Sequence, residues 1–132
     1  GDVYKRQVLV EDKLVVLDGG DDRMLSIDLE TYEVEVIRST WAVGPACALT
    51  YANGRFYHGA SSNIYSFTAD EEETLLATIP GAFIADIVVL GRMAFFPADN
   101  GNAVYQVDLE SGAYSKLVPD LKSPISIVLL PE

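Results

Sequence analysis

Histidine and cysteine occur once each in this 132-residue chain, at His58 and Cys47. Nucleophilic catalysis of the Ser-His-Asp type needs a histidine between a nucleophile and an orienting carboxylate, and a zinc centre needs several His, Cys or carboxylate ligands. No such spacing surrounds His58, so it is expected in the core or between layers, holding one hydrogen bond. Cys47 has no partner for an internal disulfide. Carboxylates are plentiful. Asp18, Asp21 and Asp22 offer the oxygen ligands that calcium takes, but Asp-Gly-Gly-Asp-Asp matches no defined calcium loop and reads as a solvated turn. Trp41, within Ser39-Thr40-Trp41-Ala42-Val43-Gly44-Pro45, is the best single candidate for ligand contact, because a loop aromatic offers a large apolar surface with a polar edge. Packing beneath its own loop is the competing reading.

The elements that must position these residues are repeated. Met24–Leu29, Ile64–Ala69 and Val104–Leu109 follow one another at an offset of 40 residues. The copies extend over Lys13–Ile37, Arg55–Ile79 and Arg92–Val118, and a further apolar run follows each: Ala46–Tyr51, Ile84–Leu90 and Ile125–Leu130. Each unit thus holds four candidate strands of about 4 to 7 residues. A strand repeat of this length predicts an all-β fold, a β-propeller of about three four-stranded antiparallel blades, near residues 8–51, 52–90 and 91–130. The expected content is strands 2 to 4 of one blade, two full blades, and the opening strand of a fourth at Ile125–Leu130.

Residue type supports strands over helices. Val, Ile, Tyr, Phe and Thr fill the runs, and turn-forming clusters separate them, with Asn100-Gly101 the clearest hairpin turn. Glu71–Ala77 has helical propensity, but its place in the repeat predicts a turn and then a strand. Leu14–Leu17, Ile87–Leu90 and Ile127–Leu130 are apolar at successive positions, which predicts burial on both faces by neighbouring blades.

Residues 1–7 stand outside the repeat. Asp2–Gln7 is what GAT GTG TAT AAG AGA CAG encodes, a DNA that resembles the end of the transposon used to fragment DNA for sequencing. The run is therefore read as an adapter-derived, non-native tail, which implies an incomplete reading frame from shotgun, metagenomic DNA, with blades missing at either end.

Net charge is −11. Such a surface repels phosphate backbones and argues against nucleic-acid binding. No run approaches the roughly 18 uninterrupted apolar residues of a membrane helix.

In a propeller the connections from strand 2 to 3 and from strand 4 to the next strand 1 gather on one face, the usual place for a site. That face is expected to carry Asp21, Asp22, Asn63, Asn100 and Asn102 from the first kind of loop, and Trp41, Phe83 and Leu121 from the second. Asp86 opens an inner strand, where it either contacts a metal or polar ligand or accepts backbone hydrogen bonds at the strand mouth.

Leu25-Ser26-Ile27-Asp28-Leu29-Glu30-Thr31 and Tyr105-Gln106-Val107-Asp108-Leu109-Glu110-Ser111-Gly112 resemble the blade motif of bacterial propellers of the YVTN, TolB-like and streptogramin-lyase-like kind, with Tyr32 in place of the turn glycine. A WD-repeat assignment fits less well, since no Gly-His is followed by Trp-Asp. The resemblance implies six to eight blades, the remaining ones on a longer chain, and an extracytoplasmic bacterial protein. The leading expectation is a non-enzymatic module without a cofactor, binding a protein, peptide or small molecule on its loop face. Two alternatives stay open: an enzyme of the lactonase or streptogramin-lyase-like class with its site spread over several blades, and a structural repeat of a surface protein.

Overall fold

The structure, a computed structural model, describes residues 6–18, 20–42, 48–98, 100 and 102–130. Among the described residues twelve strands follow one another: β1 (Arg6–Val10), β2 (Lys13–Asp18), β3 (Arg23–Asp28), β4 (Val34–Arg38), β5 (Ala48–Ala52), β6 (Arg55–Ala60), β7 (Asn63–Phe67), β8 (Thr74–Thr78), β9 (Val88–Leu90), β10 (Met93–Ala98), β11 (Ala103–Asp108) and β12 (Tyr114–Val118). They form three four-stranded antiparallel sheets, each made of four consecutive strands in chain order. The inner strands β1, β5 and β9 pack in succession. These are three consecutive blades.

Tight turns set the register. Glu11 and Asn53 adopt left-handed backbone (φ 55° each) between strands 1 and 2 of their blades. In the 3–4 turns, Asp28 Oδ1 accepts the N–H groups of Glu30 (2.8 Å) and Thr31 (3.2 Å). Asp108 Oδ1 does the same for Glu110 (2.9 Å) and Ser111 (3.2 Å). The turn closes when the N–H of Tyr32 or Gly112 reaches the carbonyl of that aspartate, 2.7 Å in both.

Two sequence expectations are corrected. The first blade has its own inner strand, because Arg6–Val10 pairs with β2 from Arg6↔Leu17 to Val10↔Lys13. β1 stands 42 residues before β5, end for end, so the repeat reaches further back than the apolar runs suggested, and β1 begins within the presumed tail. Conversely, Ile125–Leu130 forms no strand. With no neighbouring strand to share its backbone bonds it leaves Val128 75% exposed, and this run is not covered on both faces as its continuous apolar character predicted. Glu71–Ala77 is a turn leading into β8, as its register required. Residues 1–5, Cys47 and Gly101 lie outside the described residues.

The core lies between blades. Leu17 and Met24 of the first blade pack with Leu49, Phe56 and Phe67 of the second. Tyr57 and Ile64 of the second pack with Val89, Phe96 and Val107 of the third. In strand register the two sets correspond position by position: Val15 to Tyr57, Met24 to Ile64, Leu49 to Ile87, Phe56 to Ala94 and Phe67 to Val107, with the third strands 40 residues apart and the first two strands of the second blade shifted by two. Because successive strand residues point to opposite faces, each blade meets the previous one with one set of positions and the next with the alternate set. Each fully buried Phe or Leu stabilises the junction by about 1.5–3 kcal/mol.

Candidate functional site

The loop-face amides hold the connections in place. Asn100 Oδ1 accepts the N–H of Phe83 at 2.7 Å, and its Nδ2 donates to the Gly81 carbonyl. Asn102, at φ 50°, accepts the Ser123 N–H on its side chain (3.2 Å) and the Leu121 N–H on its backbone carbonyl (2.7 Å). The 2–3 loop of the third blade thus fixes both flanking 4–1 connections. Asn63 Oδ1 accepts the Thr78 hydroxyl at 2.8 Å, and its Nδ2 donates to the Tyr65 hydroxyl. Phe83, with its backbone clamped, keeps its side chain half-exposed at 43%.

The acidic candidates are engaged within the fold. Asp86 accepts the N–H of Ile87 (2.9 Å) and that of Ile127 (3.1 Å), tying the mouth of the third blade's inner strand to the segment after β12. Asp18 and Asp21 both reach Arg23, at 3.4 and 3.3 Å. Asp22 has φ 52°, and its carbonyl accepts the Trp41 indole N–H at 2.8 Å.

Trp41 belongs to a cluster that sequence reasoning did not assemble. Its ring meets Phe67 edge-on, with centroids 5.6 Å apart, and lies 6.2 Å from His58. The Arg38 guanidinium sits 4.8 Å from the Trp41 centroid and 4.9 Å from that of Phe67, an attractive placement over the negative ring faces. Arg38 Nη1 donates to the carbonyls of Thr68 (3.1 Å), Ala69 (3.2 Å) and Glu71, and Nη2 forms an ion pair with Glu73. The end of β4 is thereby fastened to the β7–β8 turn of the next blade. Beside it opens a cleft of about 340 Å³ bordered by Arg38, Thr40, Asp70 and Glu72. The 40-residue counterparts of Arg38 are Thr78 and Val118, so a cation breaking an apolar or neutral repeat position was the available signal. Nothing distinguishes Glu73 from Glu71 and Glu72 in the sequence.

His58 is wholly buried among Trp41, Tyr65 and Phe67. The single hydrogen bond expected of it is absent among the described residues, where neither ring nitrogen meets a partner. Its aromatic surroundings provide contact area but no acceptor. Burial pushes its pKa down to about 4, the Arg38 charge lowering it further and Glu73 opposing. At neutral pH it is an uncharged ring sealed from solvent. The structure brings Trp41 together with Asp22, and Phe83 with Asn100.

No family model matches this sequence, and no curated protein does. Among solved structures, the chain is similar to a streptogramin B lyase, with TM-score 0.66, 13% identity, and 89% of this chain matched to 41% of that one. It is also similar to a chain of a nidogen/laminin complex, with TM-score 0.63, 12% identity, 82% of this chain and 43% of that one. The chain spans less than half the length of either. Identities this low speak to fold alone. With three sequential four-stranded sheets, 40-residue spacing and inter-blade cores, the chain is a three-blade stretch of β-propeller.

Proposed function

We propose that the chain is a non-enzymatic binding module, bacterial and extracytoplasmic, whose loop face takes a protein, peptide or small-molecule ligand with Phe83 as its anchor. The observation that carries this reading is the pairing of a half-exposed Phe83 ring with a backbone clamped by Asn100. A pre-positioned aromatic gains contact area at little ordering cost. Asn63 and Asn102 stiffen neighbouring loops of the same kind, Asp22 and Asp86 anchor its edges through backbone groups, and Trp41 contributes its exposed rim. The presence of a similar fold in a nidogen/laminin complex supports a protein ligand.

Panning a displayed peptide library against the chain tests this. Selected peptides are expected to lose about 10-fold or more in affinity on Phe83→Ala, whereas binders indifferent to that change would remove Phe83 as the anchor. The similarity to streptogramin B lyase supports a second reading, an enzyme with acid–base residues distributed over several blades. Turnover of a panel of lactones and cyclic esters by the purified chain would establish it against the binding reading.

A further inference from the structure

A cleft opens at each of the two inter-blade junctions, on the face opposite the loop face, where the 1–2 and 3–4 turns lie. The first holds about 360 Å³ and the second about 470 Å³, the size of small-molecule sites. Their linings match in strand register. Ser26 and Ser66 occupy equivalent points of β3 and β7, paired with Val15 and Tyr57 on strand 2. Two residues before those partners stand the bases Lys13 and Arg55. The same serines pair with Glu35 and Thr74 on strand 4, and two residues beyond these stand Ile37 and Leu76. From the other wall, the 3–4 turn of the next blade brings an aliphatic residue and an acid, Ala69-Asp70 in the first cleft and Leu109-Glu110 in the second.

Ser26 is 7% exposed and Ser66 5%. Both border their cleft, and neither hydroxyl meets a partner among the described residues. A sunken hydroxyl left unpaired is unfavourable, so it calls for a partner from outside the chain. The blade itself does not require one. At the matching places the third blade has Gln106, Met93 and Leu117, with neither serine nor base.

We propose that the two clefts bind sugar units of one neutral polysaccharide chain, a sugar hydroxyl meeting each serine and a C–H face lying against the aliphatic pair. Sugar hydroxyls both donate and accept hydrogen bonds, which suits a rim with a base on one wall and an acid on the other. Charge selects the neutral class. Lys13 shares the first cleft with Glu35 and Asp70, whereas Arg55 and Arg92 share the second with Glu110. A polyanion is opposed at the first and a polycation at the second, while an uncharged chain suits both. Two like sites one blade apart favour a ligand that itself repeats, because the second contact forms at high effective concentration. This site is separate from the face that carries Phe83.

The full chain, run in native gels containing dextran, starch, xylan or mannan, is expected to be retarded by at least one of them. Free migration in every gel overturns the proposal. Against the retarding polymer, Ser26→Ala and Ser66→Ala are each expected to weaken binding about 10-fold, and the double variant to migrate freely. A double variant retarded like the natural chain overturns the role of the serines. Melting temperatures of these variants are expected to stay level or rise, since no hydrogen bond within the chain is lost; a fall would assign the hydroxyls to the fold instead. Finally, amide shifts in nuclear magnetic resonance spectra titrated with an oligosaccharide of that polymer are expected at Ser26, Ser66 and Leu109. Shifts confined to the loops around Phe83 and Asn100 would move the site to the loop face and overturn the cleft assignment.

Discussion

Arg38 and Glu73, one on each side of the junction between the first two blades, form an ion pair whose side chains are 6% and 0% exposed. Removing one partner leaves the other charge buried, so Glu73→Gln is expected to destabilise the chain by about 3–5 kcal/mol in urea denaturation. The double change Arg38→Met with Glu73→Leu is expected to cost much less, because both desolvation penalties disappear together. Equal losses for the single and double variants would mean that the three carbonyl bonds of Arg38, not the pair, hold the junction.

His58 makes stability depend on pH. Its folded pKa of about 4 lies below the ordinary histidine value of 6.5, so the unfolded chain takes up a proton first as pH falls. The contribution is intact above pH 6.5 and is lost between 6.5 and 4, reaching about 3 kcal/mol at the lower end. Denaturation midpoints measured over that range are expected to fall for the natural chain and to flatten for His58→Leu. An unchanged slope in the variant would assign the dependence to other groups.

Tyr32 occupies a left-handed position, φ 61°, where the third blade has Gly112 at φ 79°. A side chain in that region costs about 1–2 kcal/mol, which glycine avoids. Since Tyr32 is 74% exposed, Tyr32→Gly gives up little contact. It is expected to raise stability by about 1 kcal/mol, read as a higher melting temperature. A lower one would show that the tyrosine ring holds the turn through contacts stronger than its backbone strain.

Gly59 marks a close approach. A Cβ there would lie 2.4 Å from Ile84 Cγ2 and 2.9 Å from its Cβ. Gly59→Ala is therefore expected to destabilise by about 1–3 kcal/mol, and Gly59→Ala with Ile84→Ala is expected to cost less than the sum of the two single changes, because the second removes the methyl that the first would strike. Strict additivity in urea denaturation would place the cost in the strand backbone.

Much of the fold was legible because one signal was written three times. The 40-residue offset carried strand order, and Asp28 and Asp108 marked the same turn chemistry in two blades. The first blade's inner strand escaped that offset: Val8–Val10 is too short an apolar run to stand out, and its counterpart Thr50–Ala52 stands 42 residues on, not 40. The site was less legible. Asn63, Asn100 and Asn102 were readable as loop residues, but whether an amide faces a ligand or a neighbouring backbone depends on loop closure distances that spacing does not encode. The union of Arg38 with Glu73 joins residues 35 apart, in a pairing that has no counterpart in the other repeats.

Among the described residues every sheet is formed by four strands adjacent in sequence, so no strand ladder crosses from one blade to another, and cohesion between blades rests mainly on side chains, helped by the backbone bonds of Ile84 and Ala85 to Ser61 and Pro97. In a single chain the second blade alone is covered on both faces. Opening therefore proceeds inward from the two ends, with nearest-neighbour coupling. Amide hydrogens of β6 and β7 become the last to exchange with solvent deuterium, and those of β1 and β12 the first.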